Sequence, residues 1–162
     1  MNLKKCLTIM TENNTTMASD DVEEACKAID DEMKKLKAVG VEVGFFEGIK
    51  YPNGLSVAEN AIIQNYGSPS RGIPPRPFFD DCLKKNESKW GKKYSELLVK
   101  GMDSEQALNI IGELIKNDLR ASILDGDWTP NAPSTVKKKG SSKPLVDTGT
   151  MLNSIHKQIV KE

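Results

Sequence analysis

With 162 residues, and with lysine plus arginine and aspartate plus glutamate both totalling 23, the chain carries a formal net charge of zero. A chain of this length buries about 70% of its extended surface on folding, so one hydrophobic core can form without metal or disulfides. Neutrality weighs against a dedicated nucleic-acid binder, and three scattered cysteines (Cys6, Cys26, Cys82) with a single histidine weigh against a zinc site or disulfide framework and favour a reducing compartment.

Residues 1–16 read as a β-prone stretch, Leu3 to Thr11, followed by a polar linker. Lys4 and Lys5 precede an apolar run, Cys6 to Met10, that is too short for a signal peptide or a membrane span. From Ser19 the period changes: Val22, Cys26, Ile29, Met33 and Leu36 fall on one helical face, Asp20 with Glu23 forms a capping box, and Gly40 is expected to stop the helix. A strand is predicted next, starting at Val39 or Val41 and running to Phe46, with Val41, Val43 and Phe45 alternating against their neighbours.

Tyr51-Pro52-Asn53-Gly54 is turn chemistry, and Ser56 to Glu59 is a second capping box. The helix it opens is expected to present Val57, Ala61 and either Ile62 or Tyr66 to the core, ending at Gly67. Four prolines between Ser68 and Pro77 make a rigid connector. A helix follows with Phe79, Cys82, Leu83, Trp90, Tyr94, Leu97 and Leu98, its continuity weakened at Asn86-Glu87-Ser88. Gly101 breaks the pattern and Asp103 with Gln106 restarts it. Ala107, Ile110, Ile111, Leu114, Ile115, Leu119 and Ile123 then form the strongest helical stripe, closed by Asp125-Gly126-Asp127.

Residues 128–144 hold three prolines and a Lys137-Lys138-Lys139 run and are expected to be a long irregular loop. One or two helical turns are expected around Met151, Leu152 and Ile155, and a final edge strand over His156 to Val160. The fold class is therefore α+β, with long helices on a small, mainly antiparallel sheet. Residues 17–162 are expected to form one domain, after an N-terminal segment, 1–16, that is flexible or a short strand.

The search for chemistry yields little. His156 sits near the C-terminus beside Lys157, with no orienting partner for a poised base. The pairs Asp20-Asp21, Asp30-Asp31, Asp80-Asp81 and Asp125/Asp127 lie at helix boundaries or on polar faces, where acids cap and solvate. Neither a GxGxxG nor a GxxxxGK[ST] pattern occurs. No catalytic, cofactor or metal residues are assigned, and an enzyme is not expected.

Interaction chemistry is better represented. Arg71, Pro74, Pro75, Arg76, Phe78 and Phe79 combine a fixed backbone with arginines and aromatics, the residue types most often energetic at interfaces. One of the two phenylalanines should face away from the helix's own core seam. Lys137, Lys138, Lys139 and Lys143 could meet phosphates nonspecifically or form a solvated face. Charge is also polarised: residues 17–47 carry nine acids and four bases, whereas 131–162 carry six lysines and two acids. Such a dipole suits subunits that stack end to end, and equally occurs on solvated proteins that make no such contact.

Three segments, taken in order, resemble a known family. They are Val43 to Phe46 with Ser56 to Ala61 and Asn65-Tyr66-Gly67; Ile73 to Phe79; and Trp128 to Thr135 with Lys139-Gly140 and Pro144 to Ile155. Together they resemble the tail-completion, or neck, proteins of long-tailed bacteriophages, over roughly residues 40–160. The resemblance implies a non-catalytic subunit without cofactor, in a sixfold ring of copies of itself between the head connector and the tail tube or tail terminator. It implies a virion location, with assembly in the host cytoplasm and no membrane. In this chain Arg71 to Phe79 would shape a subunit interface. Asp147, Thr148, Gly149, Leu152 and Ile155 would close the fold, Asp147 or Thr148 capping the turn. The loop at 128–144 would reach a neighbouring ring or line the DNA channel. A tail-terminator or head-closure role, or nonspecific contact with packaged DNA, is the alternative. Some relatives continue with further strands past the final Ser-Ile motif, so a small sheet with an edge open to a neighbour is expected.

Overall fold

Alternation of branched and aromatic residues with glycine and glutamate makes β1 (Val39–Phe45) a strand, and β2 (Ile155–Lys161) completes a two-stranded antiparallel sheet with it. Val39 lies opposite Lys161 and Phe45 opposite Ile155. The computed structural model describes residues 23–24, 26–31 and 39–161. Contacts divide the chain into two units, Met1–Ala38 and Val39–Glu162. In the first unit every described residue is helical, and Ile29, expected on an apolar stripe, is exposed. The expected strand at Leu3 to Thr11 and the cap at Asp20 lie outside the described residues. Gly40 does not stop a helix; it is a strand residue opposite Val160.

In the second unit, the turn after β1 forms as expected: Tyr51 N–H donates to the Leu55 carbonyl at 2.8 Å and Gly54 takes φ +82°. Ser56 Oγ accepts from Glu59 N–H at 3.3 Å and opens α1 (Val57–Tyr66). The buried face of α1 is Val57, Ala61 and Asn65; Ile62 and Tyr66 point outward, 59% and 65% exposed.

α2 (Phe78–Val99) runs unbroken through Asn86-Glu87-Ser88, turns at Lys100–Met102, and returns as α3 (Ser104–Asp125). Asp103 caps α3, its carboxylate accepting from Glu105 and Gln106 N–H. The four-residue connection makes the two helices antiparallel neighbours. Ties along the hairpin agree: Tyr94 Oη meets Ser104 Oγ at 2.9 Å, Trp90 Nε1 donates to Asp118 Oδ2 at 2.7 Å, and Ser122 Oγ donates to the Phe78 carbonyl at 2.8 Å. Ala107, Ile111, Leu119 and Ile123 are buried on α3, whereas Ile110 is exposed.

α3 lies along one face of the sheet. Gly112 is the contact point, since a Cβ there would sit 2.8 Å from Val41 Cγ2 and 2.9 Å from Lys157 Cδ. Lys157 Nζ donates to the Asn109 carbonyl at 2.7 Å, and Lys161 pairs with Glu105 at 2.8 Å. The odd-numbered side chains of both strands therefore face the helix, and the even-numbered ones (Glu42, Gly44, His156, Gln158) face away from it.

Residues 128–144 are not one irregular loop. They contain α4 (Pro133–Lys139), with Pro at its first position and Gly140 in the left-handed region at its end. The closing motif forms a single turn, α5 (Thr150–Asn153), and Ile155 belongs to β2 rather than to that turn.

Candidate protein interface

The proline-rich connector is a junction inside the fold. Arg76 is only 4% exposed. Its Nε donates to the Thr129 carbonyl at 2.8 Å and its Nη1 to Gln64 Oε1 at 2.6 Å. Nη2 reaches the Pro130 carbonyl and Asn131 Oδ1, both at 3.3 Å. Its backbone N–H donates to the Gln64 carbonyl at 2.8 Å. One guanidinium thus ties α1, the connector and the segment after α3, using the planar fork that lysine lacks. Burial lowers its pKa below the usual arginine range, and the surrounding carbonyl oxygens compensate a desolvated cation.

Asn65 does parallel work. Its Oδ1 accepts from Phe79 N–H at 2.9 Å and its Nδ2 donates to Asp80 Oδ2 at 2.7 Å. Pro77, at the N-cap of α2, supplies no side-chain cap, so an amide from α1 satisfies an orphan donor of the first turn. Gly67 takes φ +77° where a Cβ would meet Pro75 N at 2.8 Å and the Ile73 carbonyl at 2.9 Å, so the connector folds back against bare backbone.

These contacts correct two interface assignments. Arg76 and Phe78 are interior residues: Phe78 is 1% exposed, edge-on to Phe45 at a ring separation of 6.2 Å. The expectation that one phenylalanine faces away is met by Phe79, 39% exposed. Arg71 and Pro75 are exposed and Pro74 is half-buried.

Phe79 belongs to an apolar groove of about 300 Å³, lined by Val43, Gly44 and Phe45 of β1, by Ile62, Asn65 and Tyr66 of α1, and by Phe78. Two of its outward residues, Ile62 and Tyr66, are the pair from which one core residue of α1 was expected, and both are exposed. The signal that could have separated them is the Val57, Ala61, Asn65 spacing at four-residue steps.

A larger, more polar cleft of about 440 Å³ lies between the Tyr51–Leu55 turn, α1, α4 and the closing motif. Tyr51 Oη accepts from Asn60 Nδ2 at 3.1 Å, and burial, with a smaller contribution from Asp147, pushes its phenol above the ordinary 10.0. Lys139 Nζ donates to the carbonyls of Val146 at 2.6 Å and Lys143 at 3.3 Å, pinning α4 to a segment where Leu145 takes φ 61°. A left-handed leucine costs roughly 1–2 kcal/mol. Thr148 Oγ1 accepts from Thr150 N–H at 3.4 Å, but the N-cap of α5 is Gly149, which has no side chain to cap with, so neither Asp147 nor Thr148 is the cap expected from the sequence. Leu152 is half-buried and its carbonyl accepts from Arg120 Nε at 3.2 Å, while Ile155 is buried.

The lysine cluster divides. Lys137 and Lys138 are exposed at the C-terminal end of α4, where cations suit the helix dipole; Lys139 is half-buried and engaged; Lys143 is exposed. These lysines sit on a helix and its flank, not on one loop. His156 is exposed on β2. Among the described residues, no group of three His, Cys, Asp or Glu could hold a metal, and no helix is long and apolar enough to cross a membrane. No family model matches the chain, and neither a curated protein nor a solved structure matches it.

Proposed function

We propose that the chain is a structural subunit of a tailed-phage virion that completes the tail or joins it to the head connector, acting in a ring of its own copies rather than as an enzyme. One observation carries the reading. The three segments that bear the resemblance are distant in sequence, yet hydrogen bonds join them in turn: Asn65 of the first accepts from Phe79 N–H of the second, and Arg76 of the second donates to Thr129, Pro130 and Asn131 of the third. The motif residues thus contribute to one scaffold. The scaffold leaves Arg71, Pro75 and Phe79 at the surface for a neighbouring subunit.

Imaging of particles carrying a tagged copy of the chain tests the proposal. Density for the tag in a layer between head and tail is expected, together with unjoined heads and tails when the chain is missing. Particles that complete normally without it would overturn the reading. The layer seen separates tail completion from tail termination or head closure. A second reading, contact with channel DNA, draws on exposed Lys137, Lys138 and Lys143. It requires DNA affinity that falls steeply with salt and is lost when these lysines are neutralised.

A further inference from the structure

Of the asparagines in the sequence, only Asn53 is followed by glycine. The pair occupies the turn between β1 and α1, where Pro52, Asn53 and Gly54 are all exposed. Asn53 Oδ1 accepts from Leu55 N–H at 3.2 Å, a contact that folds the side-chain amide back over the peptide bond shared with Gly54 and polarises its carbonyl. Gly54 places no Cβ beside its own nitrogen, and nothing lies within 4 Å of where one would stand. Attack of that nitrogen on the amide carbon closes a five-membered ring between atoms that are already tethered. The other asparagines are held differently. Asn60, Asn65, Asn86, Asn109, Asn117 and Asn153 lie in helices, where the next N–H is committed to helical hydrogen bonding. Asn131 precedes alanine, and both ends of its amide are bonded, to Arg76 and to the carbonyls of Ser142 and Lys143. Asn2, Asn13 and Asn14 lie outside the described residues, and each precedes a residue bulkier than glycine.

We propose that Asn53 is a self-modifying site, which its neighbour's backbone nitrogen converts irreversibly into aspartate and isoaspartate. The Gly54 nitrogen gives its proton to base and bonds to Cγ of Asn53. The Cγ–Nδ2 bond breaks, and the amide nitrogen takes up a proton and leaves as ammonia. Water then opens the cyclic imide at either carbonyl, giving aspartate or, with the main chain rerouted through Cγ, isoaspartate. Nothing is oxidised or reduced, and water is the only co-reactant. In the closed turn Gly54 N–H donates to the Tyr51 carbonyl at 2.9 Å, so the reaction runs from the opened turn. Opening is local, because the residues that make the turn are exposed. Return is blocked once isoaspartate forms. Its extra main-chain carbon shifts the bonds from Gly54 to Tyr51 and from Tyr51 to Leu55 out of register, together with the Lys50–Ser56 bridge beyond them. Either product also adds a carboxylate to the polar cleft that Asp147 lines. The chemistry belongs to the turn itself and does not depend on the virion reading.

The test ages the purified full-length chain at neutral and mildly alkaline pH, in water enriched in heavy oxygen, and maps its peptides by mass spectrometry. Conversion of amide to acid with uptake of heavy oxygen is expected at Asn53 ahead of every other asparagine. It should be faster at the higher pH and give more isoaspartate than aspartate. Asn53→Gln should slow it by roughly tenfold or more, because the ring would then need six members. That variant alters an exposed position and should melt as the parent does. Hydrogen exchange separates linkage from charge: the aged chain should exchange faster over 51–57 than Asn53→Asp, which carries the carboxylate on an ordinary backbone. The proposal falls if Asn53 keeps its amide, if another asparagine converts as fast, or if Asn53→Gln converts as the parent does. Equal exchange in the aged chain and Asn53→Asp would overturn the loss of the turn.

Discussion

The helical hairpin with its sheet and the segment from Trp128 to Gly149 are held in different ways. The first is an apolar assembly: Phe78, Cys82 and Trp90 of α2 and Ile111, Leu119 and Ile123 of α3 are buried, with Ile155 of β2. The second has no fully buried residue and depends on polar ties, from Arg76 to Thr129, Pro130 and Asn131 and from Lys139 to Val146, with partial packing by Trp128, Leu145 and Val146. Burial of apolar area is cooperative and non-directional, whereas a few hydrogen bonds can be released locally. The hairpin body therefore sets global stability, and the segment can adjust to a partner at lower cost.

The sharpest test is at neighbouring phenylalanines. Phe78→Ala is expected to cost about 3–5 kcal/mol in urea unfolding, against less than about 1 kcal/mol for Phe79→Ala. Comparable losses would erase the division between body and surface. Next in size, Arg76→Met should cost about 2–3 kcal/mol, by leaving carbonyl acceptors unpaired. Its main readout is limited proteolysis, with new cleavage between Trp128 and Pro144 while the hairpin stays intact. Arg76→Lys should not restore protection, because an ammonium cannot span the fork. Uniform digestion of the whole chain would show that segment and body unfold as one.

Gly112→Ala probes how closely the body is packed. Gain in helix propensity opposes the clash with Val41 and Lys157, and a net loss of about 1 kcal/mol is expected from thermal unfolding. A stabilised variant would mean that the sheet can retreat from α3.

The body should also respond to alkali. Burial, and next the charge of Asp118, push the Cys82 thiol above its ordinary 9.0. The unfolded chain then loses this proton first, so the contribution of Cys82 is complete below about pH 9 and declines as pH rises through that value toward the folded pKa. Urea midpoints should fall across this range, and less steeply in Cys82→Ala. The smallest effect is expected at Lys137→Gln with Lys138→Gln, within about 0.5 kcal/mol by the same measurement, because both side chains are exposed.

Features written in local chemistry were legible in the sequence. Asp103, Gly101 and Gly126 bounded α3 correctly, Ser56 opened α1, and the alternation at Val41, Val43 and Phe45 identified β1. Errors arose where a distant partner decides. Val39-Gly40 after a helical pattern resembles a stop, and pairing with Val160 makes it strand. On α1, hydropathy favours Ile62 and Tyr66 over Asn65, yet the amide is buried because it caps α2. The same limit explains Arg76, whose four acceptors come from two other segments. For α4 the fault was weighting, since Pro133 and Gly140 mark a short helix that lysine and proline content obscured.

The sheet also bears on synthesis of the chain. Glu42 and Gln158, which meet across the two strands, are 116 residues apart in sequence. A chain leaving the ribosome can fold its α2–α3 hairpin from neighbouring contacts while β1 waits for a partner not yet made. During that interval the face of α3 around Gly112 and the whole of β1 lack their final cover. A chaperone that shields a solitary strand is then expected to raise the yield of native protein. A circular permutation that places β2 ahead of residue 1 should shorten the separation between the strands and speed refolding, which stopped-flow fluorescence of Trp90 and Trp128 can follow.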